Sequence, residues 1–140
     1  MSHSLTVVLA ISAIVLVLLV GWRVLRWRRH KIHPTYFKQK WLELQRYCAN
    51  RETWPLAVLS ADKLLEEALK KRGMKGKSMG ERLAGAQHDL TNNDSVWYAH
   101  NLAKKLADKA NFKLREADVK KALVGVRQAL RDLGALHDKP

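Results

Sequence analysis

An uninterrupted apolar segment near the amino terminus constrains this chain most. Residues 5–22 read LTVVLAISAIVLVLLVGW and hold no charged side chain in eighteen positions. At about 1.5 Å per residue they form a helix of about 27 Å, close to the roughly 30 Å hydrocarbon core of a bilayer. The segment predicts a transmembrane helix over residues 5–22. The alternative is a buried core helix, but no other segment is apolar enough to enclose one.

Positive charge follows this segment and does not precede it. The cations between positions 23 and 31 are Arg23, Arg26, Arg28, Arg29 and Lys31, with no acidic residue among them. A cleaved signal peptide carries its cations before the apolar run, so the order is typical of an anchor. Cations on this side predict a single-pass plasma-membrane protein with its amino terminus outside and its carboxyl-terminal part in the cytoplasm. The same cations could also recruit anionic lipids, although a topology signal explains them sufficiently.

The rest of the chain has the periodicity of amphipathic helices. A basic juxtamembrane segment and hinge over residues 23–35 ends in His33-Pro34-Thr35, which interrupts the helical pattern. Apolar residues then recur at three- and four-residue steps, and no run alternates with a period of two. We expect helices near 36–50, from Thr53 to Arg72, and near 78–90, 95–110 and 115–133. This predicts an all-α fold, a bundle of about five helices over residues 36–136.

Local signals mark several helix ends. Thr53 is a candidate N-cap, and Ser78-Met79-Gly80-Glu81 has the spacing of a capping box. Gly73 follows the cationic turn Lys70-Lys71-Arg72, and both Gly73 and Gly134 predict helix stops. The loop 73–80 contains Gly-Lys-Ser but lacks the spacing of a phosphate-binding loop, and no strand precedes it. The buried face of the second helix is predicted to be Ala57, Val58, Ala61, Leu64, Leu65, Ala68 and Leu69.

Two polar residues fall on apolar faces. Asp62 shares a face with Val58 and Leu65, so its carboxylate needs a partner, and we expect a structural ion pair with Arg82. A catalytic role for Asp62 is less well supported, because no second acid or histidine lies at helical spacing. Cys48, the single cysteine, lies on the stripe of the first helix and is expected to be a core residue.

Composition restricts the candidate functions. The 26 Lys and Arg against 13 Asp and Glu indicate anionic partners. The chain has one cysteine, which excludes an internal disulfide. The histidines never pair with carboxylates at ligand spacing on one helix, so no metal site is predicted. No cofactor is predicted either. Candidate contacts to RNA or to a protein partner are the aromatic and basic residues of the fourth helix, namely Trp97, Tyr98, His100, Lys104, Lys105 and Lys109.

Three stretches carry a family resemblance. They are Trp54–Gly73, Gly76–Leu83 and Val96–His100, and together they resemble a group of uncharacterised small bacterial proteins frequent in candidate-phylum bacteria. That group is similar to the HEPN superfamily of helical bundles, which includes RNA-cleaving toxins and inactive dimerising modules. The resemblance covers roughly residues 37–136 and implies a HEPN-like bundle.

The superfamily's nuclease signature is degenerate in this chain. Where the resemblance implies an arginine followed by a histidine, the sequence has Ala103 and Asp108. Alanine cannot stabilise a phosphorane-like transition state, and an ionised aspartate would repel one. We therefore predict that the protein is a non-enzymatic, membrane-tethered interaction module, which binds a protein partner or a second copy of itself. The alternative is a membrane-anchored protein that binds or cleaves RNA.

Overall fold

A computed structural model describes residues 2–29, 31–109 and 111–137, and this part of the chain is helical with no strand. It forms two compact units, Met1–Lys31 and Ile32–Pro140. The helices are α1 (Ser2–Arg29), α2 (Pro34–Gln45), α3 (Trp54–Lys71), α4 (Met79–Gly85), α5 (Asn93–Asp108) and α6 (Glu116–Asp132). Two short 3₁₀ turns, Arg46–Ala49 and Arg51–Thr53, connect α2 to α3.

The first unit is the single helix α1. Its stretch His3–Arg26 contains an 18-residue window with a mean hydropathy of 2.8 and is long and apolar enough to cross a membrane, with none of its residues buried. The helix runs past the predicted end at Trp22, because no glycine or proline follows in the basic segment until Pro34. The predicted juxtamembrane segment is therefore helical as far as Arg29.

The second unit is a helical bundle organised around α3, which packs against α2, α4, α5 and α6. All seven predicted apolar residues of α3 are buried. Side chains from every other bundle helix complete the core. The largest fully enclosed side chains of the whole core include Phe37, Leu65, Leu69, Leu83, Leu130 and Leu133. The expected all-α bundle of about five helices is confirmed.

The two glycine stops form as predicted, because Gly73 and Gly134 have φ angles of 80° and 76°, a left-handed conformation that favours glycine. The Ser78 hydroxyl accepts a hydrogen bond from the Glu81 backbone N–H. Only this half of the capping box forms, since the Glu81 carboxylate accepts from the N–H of Lys77 instead.

Three predicted details are wrong. Thr53 does not cap α3, because its hydroxyl donates to the carbonyls of Tyr47 and Asn50. The first bundle helix gives way to a 3₁₀ turn after Gln45, which leaves Cys48 half-buried outside the core. Helix α4 ends at Gly85, a poor helix former, and not near residue 90.

Helices α5 and α6 approach each other closely at a glycine. A Cβ atom added to Gly125 would lie 2.7 Å from the backbone oxygen of Ser95. Gly125 is buried, so no larger residue fits without moving one of the helices. This contact positions the amino-terminal half of α5, which carries the candidate residues Trp97, Tyr98 and His100.

Candidate functional site

A polar cluster lies where α3, α4 and α5 meet. His100 Nδ1 is 3.0 Å and 3.2 Å from the two carboxylate oxygens of Asp62, and His100 is only 8% exposed. Arg82 Nη1 is 3.0 Å from Glu66 Oε1. The predicted ion pair between Asp62 and Arg82 is therefore wrong. Glu66 lies one turn after Asp62 on the same face of α3, and Arg82 reaches that later turn while His100 reaches Asp62.

Sequence reasoning missed the pairing of His100 with Asp62. The two residues are 38 positions apart, and only the packing of α5 against α3 brings them together. A carboxylate hydrogen-bonded to Nδ1 fixes the orientation of a histidine ring, as it does in hydrolases. His100 has little surface on which to receive a substrate, and its ring contacts that of Trp97 edge-on, with the centroids 6.1 Å apart. We therefore interpret the pair as structural.

The predicted aromatic contacts Trp97 and Tyr98 do not form one stacking surface. Trp97 lies over Gly80 of α4, where a Cβ atom on the glycine would meet the ring at 3.6 Å. Tyr98 points to α6 instead, because its hydroxyl donates to Asp118 over 2.9 Å and the Lys121 ammonium lies 4.1 Å from its ring centroid. Bases that stack on a protein need an open aromatic face, and each ring already packs against its own bundle neighbours.

The hydrogen bonds around Asp118 shift the pKa values of both Asp118 and Tyr98. Hydrogen bonds from the Arg115 guanidinium, and secondarily from Tyr98, lower the pKa of Asp118 to about 2. Burial and the bond to Asp118 raise the pKa of Tyr98. The carboxylate stays ionised through the neutral range, and its hydrogen bond with Tyr98 links the first half of α5 to the start of α6. Of the predicted basic contacts, Lys104, Lys105 and Lys109 are all exposed.

The two positions of the degenerate nuclease signature differ in burial. Ala103 is 3% exposed and belongs to the core, whereas Asp108 is exposed at the last residue of α5. A residue at position 103 therefore faces the interior of this bundle and not a substrate. Among the described residues, neither side chain forms a hydrogen bond or an ion pair with Asp62 or His100.

The predicted membrane-surface cations lie in and just after α1. The guanidinium of Arg26 lies over the ring of Trp22, 5.2 Å from its centroid, and Arg23 is exposed on the same helix. Arg28 and Arg29 belong to the last turn of α1, although their side chains lie outside the described part, and Lys31 is exposed after it. Their contact with lipid stays a prediction.

A surface groove between α2 and the carboxyl-terminal end of the bundle was missed by sequence reasoning. It has a volume of about 610 Å³, and we call it the α2–α6 groove. Apolar side chains and cations share its lining, chiefly Lys38, Trp41, Leu42, Arg127 and Leu136. The sequence signal for this groove was the pair Trp41 and Leu42. Consecutive residues of a helix point in different directions, so when one of them is in the core the other is left on the surface.

Within residues 2–29, 31–109 and 111–137, no group of three histidine, cysteine or acidic side chains could hold a metal ion. No protein-family model matches the chain, and no curated protein or solved structure is significantly similar to it. The resemblance to HEPN proteins therefore stays a prediction based on the residues quoted above.

Proposed function

We propose that this protein is a single-pass membrane protein whose bundle lies in the cytoplasm and acts by binding a protein partner or a second copy, without catalysing a reaction. One observation carries the proposal: α1 buries none of its apolar side chains, while the bundle has a complete core of its own. A helix that is apolar on all sides needs lipid around it, whereas the bundle needs none.

The chemistry of the bundle supports binding over catalysis. His100 is buried against Asp62, Arg82 is paired with Glu66, and Ala103 lies in the core. His100 and Arg82 are thus already paired within the bundle, and the position at which the resemblance implies a catalytic arginine is a buried alanine. Confinement to a membrane raises the local concentration of the bundle, so a weak contact between copies becomes populated.

Membrane integration and orientation are tested with the full-length chain in cells. We expect it to resist extraction with alkaline carbonate, and protease added to intact cells should leave the bundle uncut. Cleavage of the bundle by external protease would overturn the proposed orientation. Release of the chain by carbonate would overturn the anchor itself.

Association is tested in vesicles at several protein-to-lipid ratios. Two populations of the full-length chain, labelled at Cys48 with donor and acceptor dyes, should show energy transfer above that of a freely diffusing, non-interacting anchor. Proximity labelling in the native cell identifies a heterologous partner. Transfer at the random level, together with no partner cross-linked to the bundle, would contradict the interaction proposal.

The positive charge near the end of α5 favours the RNA-binding alternative, since Lys104 and Lys105 are exposed on that helix and Lys109 is exposed directly after it. It lacks a shared stacking surface, because Trp97 and Tyr98 pack against different helices. Binding of labelled RNA to the full-length chain in detergent that weakens steeply as salt rises would support this alternative. Cleavage of that RNA, abolished in His100→Ala, would show that the protein is an enzyme.

A further inference from the structure

The α2–α6 groove combines a positive rim with an apolar floor. Lys38 and Arg127 are exposed and make no ion pair with any residue in the described ranges. No acidic residue lines the groove within those ranges. Two cations without carboxylate partners, on the rim of one groove, form a positive field that selects an anionic ligand.

The floor of the same groove is apolar and partly open. Trp41 and Leu136 are 7% and 8% exposed, and Leu42 projects with 53% of its surface accessible. A small hydrophilic anion would leave this apolar surface in water, so the chemistry fits an amphiphile that carries both an anionic group and a hydrocarbon part.

We propose that the α2–α6 groove binds an anionic phospholipid, with the headgroup phosphate paired with Lys38 and Arg127 and the adjoining apolar part of the lipid against Trp41 and Leu42. The inference rests on the proposed function to the extent that the chain must be anchored in a membrane. It adds a lipid site on the bundle itself, separate from the arginines of α1.

The connection in the sequence favours lipid over an acidic peptide as the occupant. Pro34, which also lines the groove, is five residues after Arg29 at the end of α1. Five residues of extended chain span at most about 18 Å. Lipid surrounds any anchored helix at a far higher local concentration than a partner segment can reach.

Photo-crosslinking of the full-length chain in nanodiscs tests the site. The photoreactive residue p-benzoylphenylalanine replaces either Leu42 in the groove or Leu56, which is 48% exposed and is not among the groove residues. Discs contain phosphatidylcholine alone or with phosphatidylglycerol, and adducts are identified by mass spectrometry. We expect a lipid adduct at position 42 that grows with the phosphatidylglycerol fraction, and little adduct at position 56.

Removing the charges of Lys38 and Arg127, compared with removing two cations elsewhere, tests whether these two residues bind the lipid. Each cation near an anionic surface contributes about fivefold to lipid binding, so Lys38→Gln with Arg127→Gln should lower the adduct at position 42 about tenfold or more. The matched control, Lys75→Gln with Lys104→Gln, removes two exposed cations elsewhere on the bundle and should leave the adduct unchanged.

Three outcomes would overturn the lipid site. They are equal adducts at positions 42 and 56, equal losses in the two double variants, and an adduct at position 42 formed with a protein peptide instead of lipid. Flotation of the same chain on phosphatidylcholine vesicles reports separately on the anchor. Failure of the lipid site and failure of the proposed membrane anchoring are thereby distinguishable.

Discussion

Helices α1 and α6 use exposed apolar residues in opposite ways. Val15 in α1 and Val124 in α6 are 48% and 67% exposed, so exposure alone does not separate them. Their neighbours do, because α1 is apolar around its whole circumference, whereas α6 buries one face through residues such as Val126 and Leu130. Helix α1 therefore buries no apolar face within the protein, whereas α6 buries one face against the rest of the bundle.

Charges placed in the two helices should have very different effects. Replacing Ile14 and Val15 with arginine puts two charges near the centre of the apolar segment, at a cost of about 5–7 kcal/mol for insertion. We expect the variant to lose flotation with lipid vesicles. Val124→Arg, at the most exposed valine of α6, should float like the wild type and change the free energy of unfolding by less than about 0.5 kcal/mol. Flotation of the double-arginine chain would show that the apolar centre of α1 is not what attaches the protein to lipid.

We expect the next largest effect on stability where α5 and α6 pack closely at Gly125. Gly125→Ala forces a methyl group against the backbone of Ser95, which should lower the free energy of unfolding by about 2 kcal/mol or more. Gly85→Ala is the matched control, since a Cβ atom there meets nothing within 4 Å, and we expect it to be neutral or slightly stabilising. Chemical unfolding of the full-length chain in detergent, followed by tryptophan fluorescence, measures both. Equal effects would mean that α5 and α6 are not in close contact at this point.

Much of the fold was predictable because its signals are local. The apolar face of α3, the glycine stops and the all-helical class each depend on residues within a few turns of one another. The candidate site was less predictable, since it depends on contacts between helices. The sequence indicates that Asp62 needs a partner, but whether that partner is His100 or Arg82 depends on how α5 packs against α3. The α2–α6 groove was not predictable because it depends on which face of α2 the other helices leave uncovered.

The pairing of Asp62 with His100 should couple more strongly than an exposed ion pair. A double-mutant cycle with Asp62→Ala and His100→Ala should give a coupling energy of about 1–2 kcal/mol, because both side chains are largely buried. The control cycle uses Glu116→Ala and Lys120→Ala, a pair that is closer, at 2.8 Å, but highly exposed. We expect that pair to couple by less than about 0.5 kcal/mol. Unfolding in detergent measures both cycles, and similar values would contradict the role of burial.

We expect the smallest effect from Asp118, whose contribution to the free energy of unfolding depends on pH. Because its pKa is lowered to about 2 in the folded chain, the ionised carboxylate stabilises the fold above its ordinary pKa of 3.8. This contribution diminishes as the pH falls below the ordinary value and is lost as the pH falls through about 2. The free energy of unfolding of Asp118→Asn should therefore approach that of the wild type over this interval.

Titration by carbon-13 NMR of the Asp118 carboxyl group separates the causes of its low pKa. Arg115→Gln removes the guanidinium that lowers the pKa of Asp118 most, so that pKa should rise towards its ordinary value. Tyr98→Phe removes only the weaker hydrogen bond and should raise the pKa of Asp118 less. A larger rise in Tyr98→Phe than in Arg115→Gln would show that the contact between α5 and α6, and not the exposed arginine at the start of α6, controls this carboxylate.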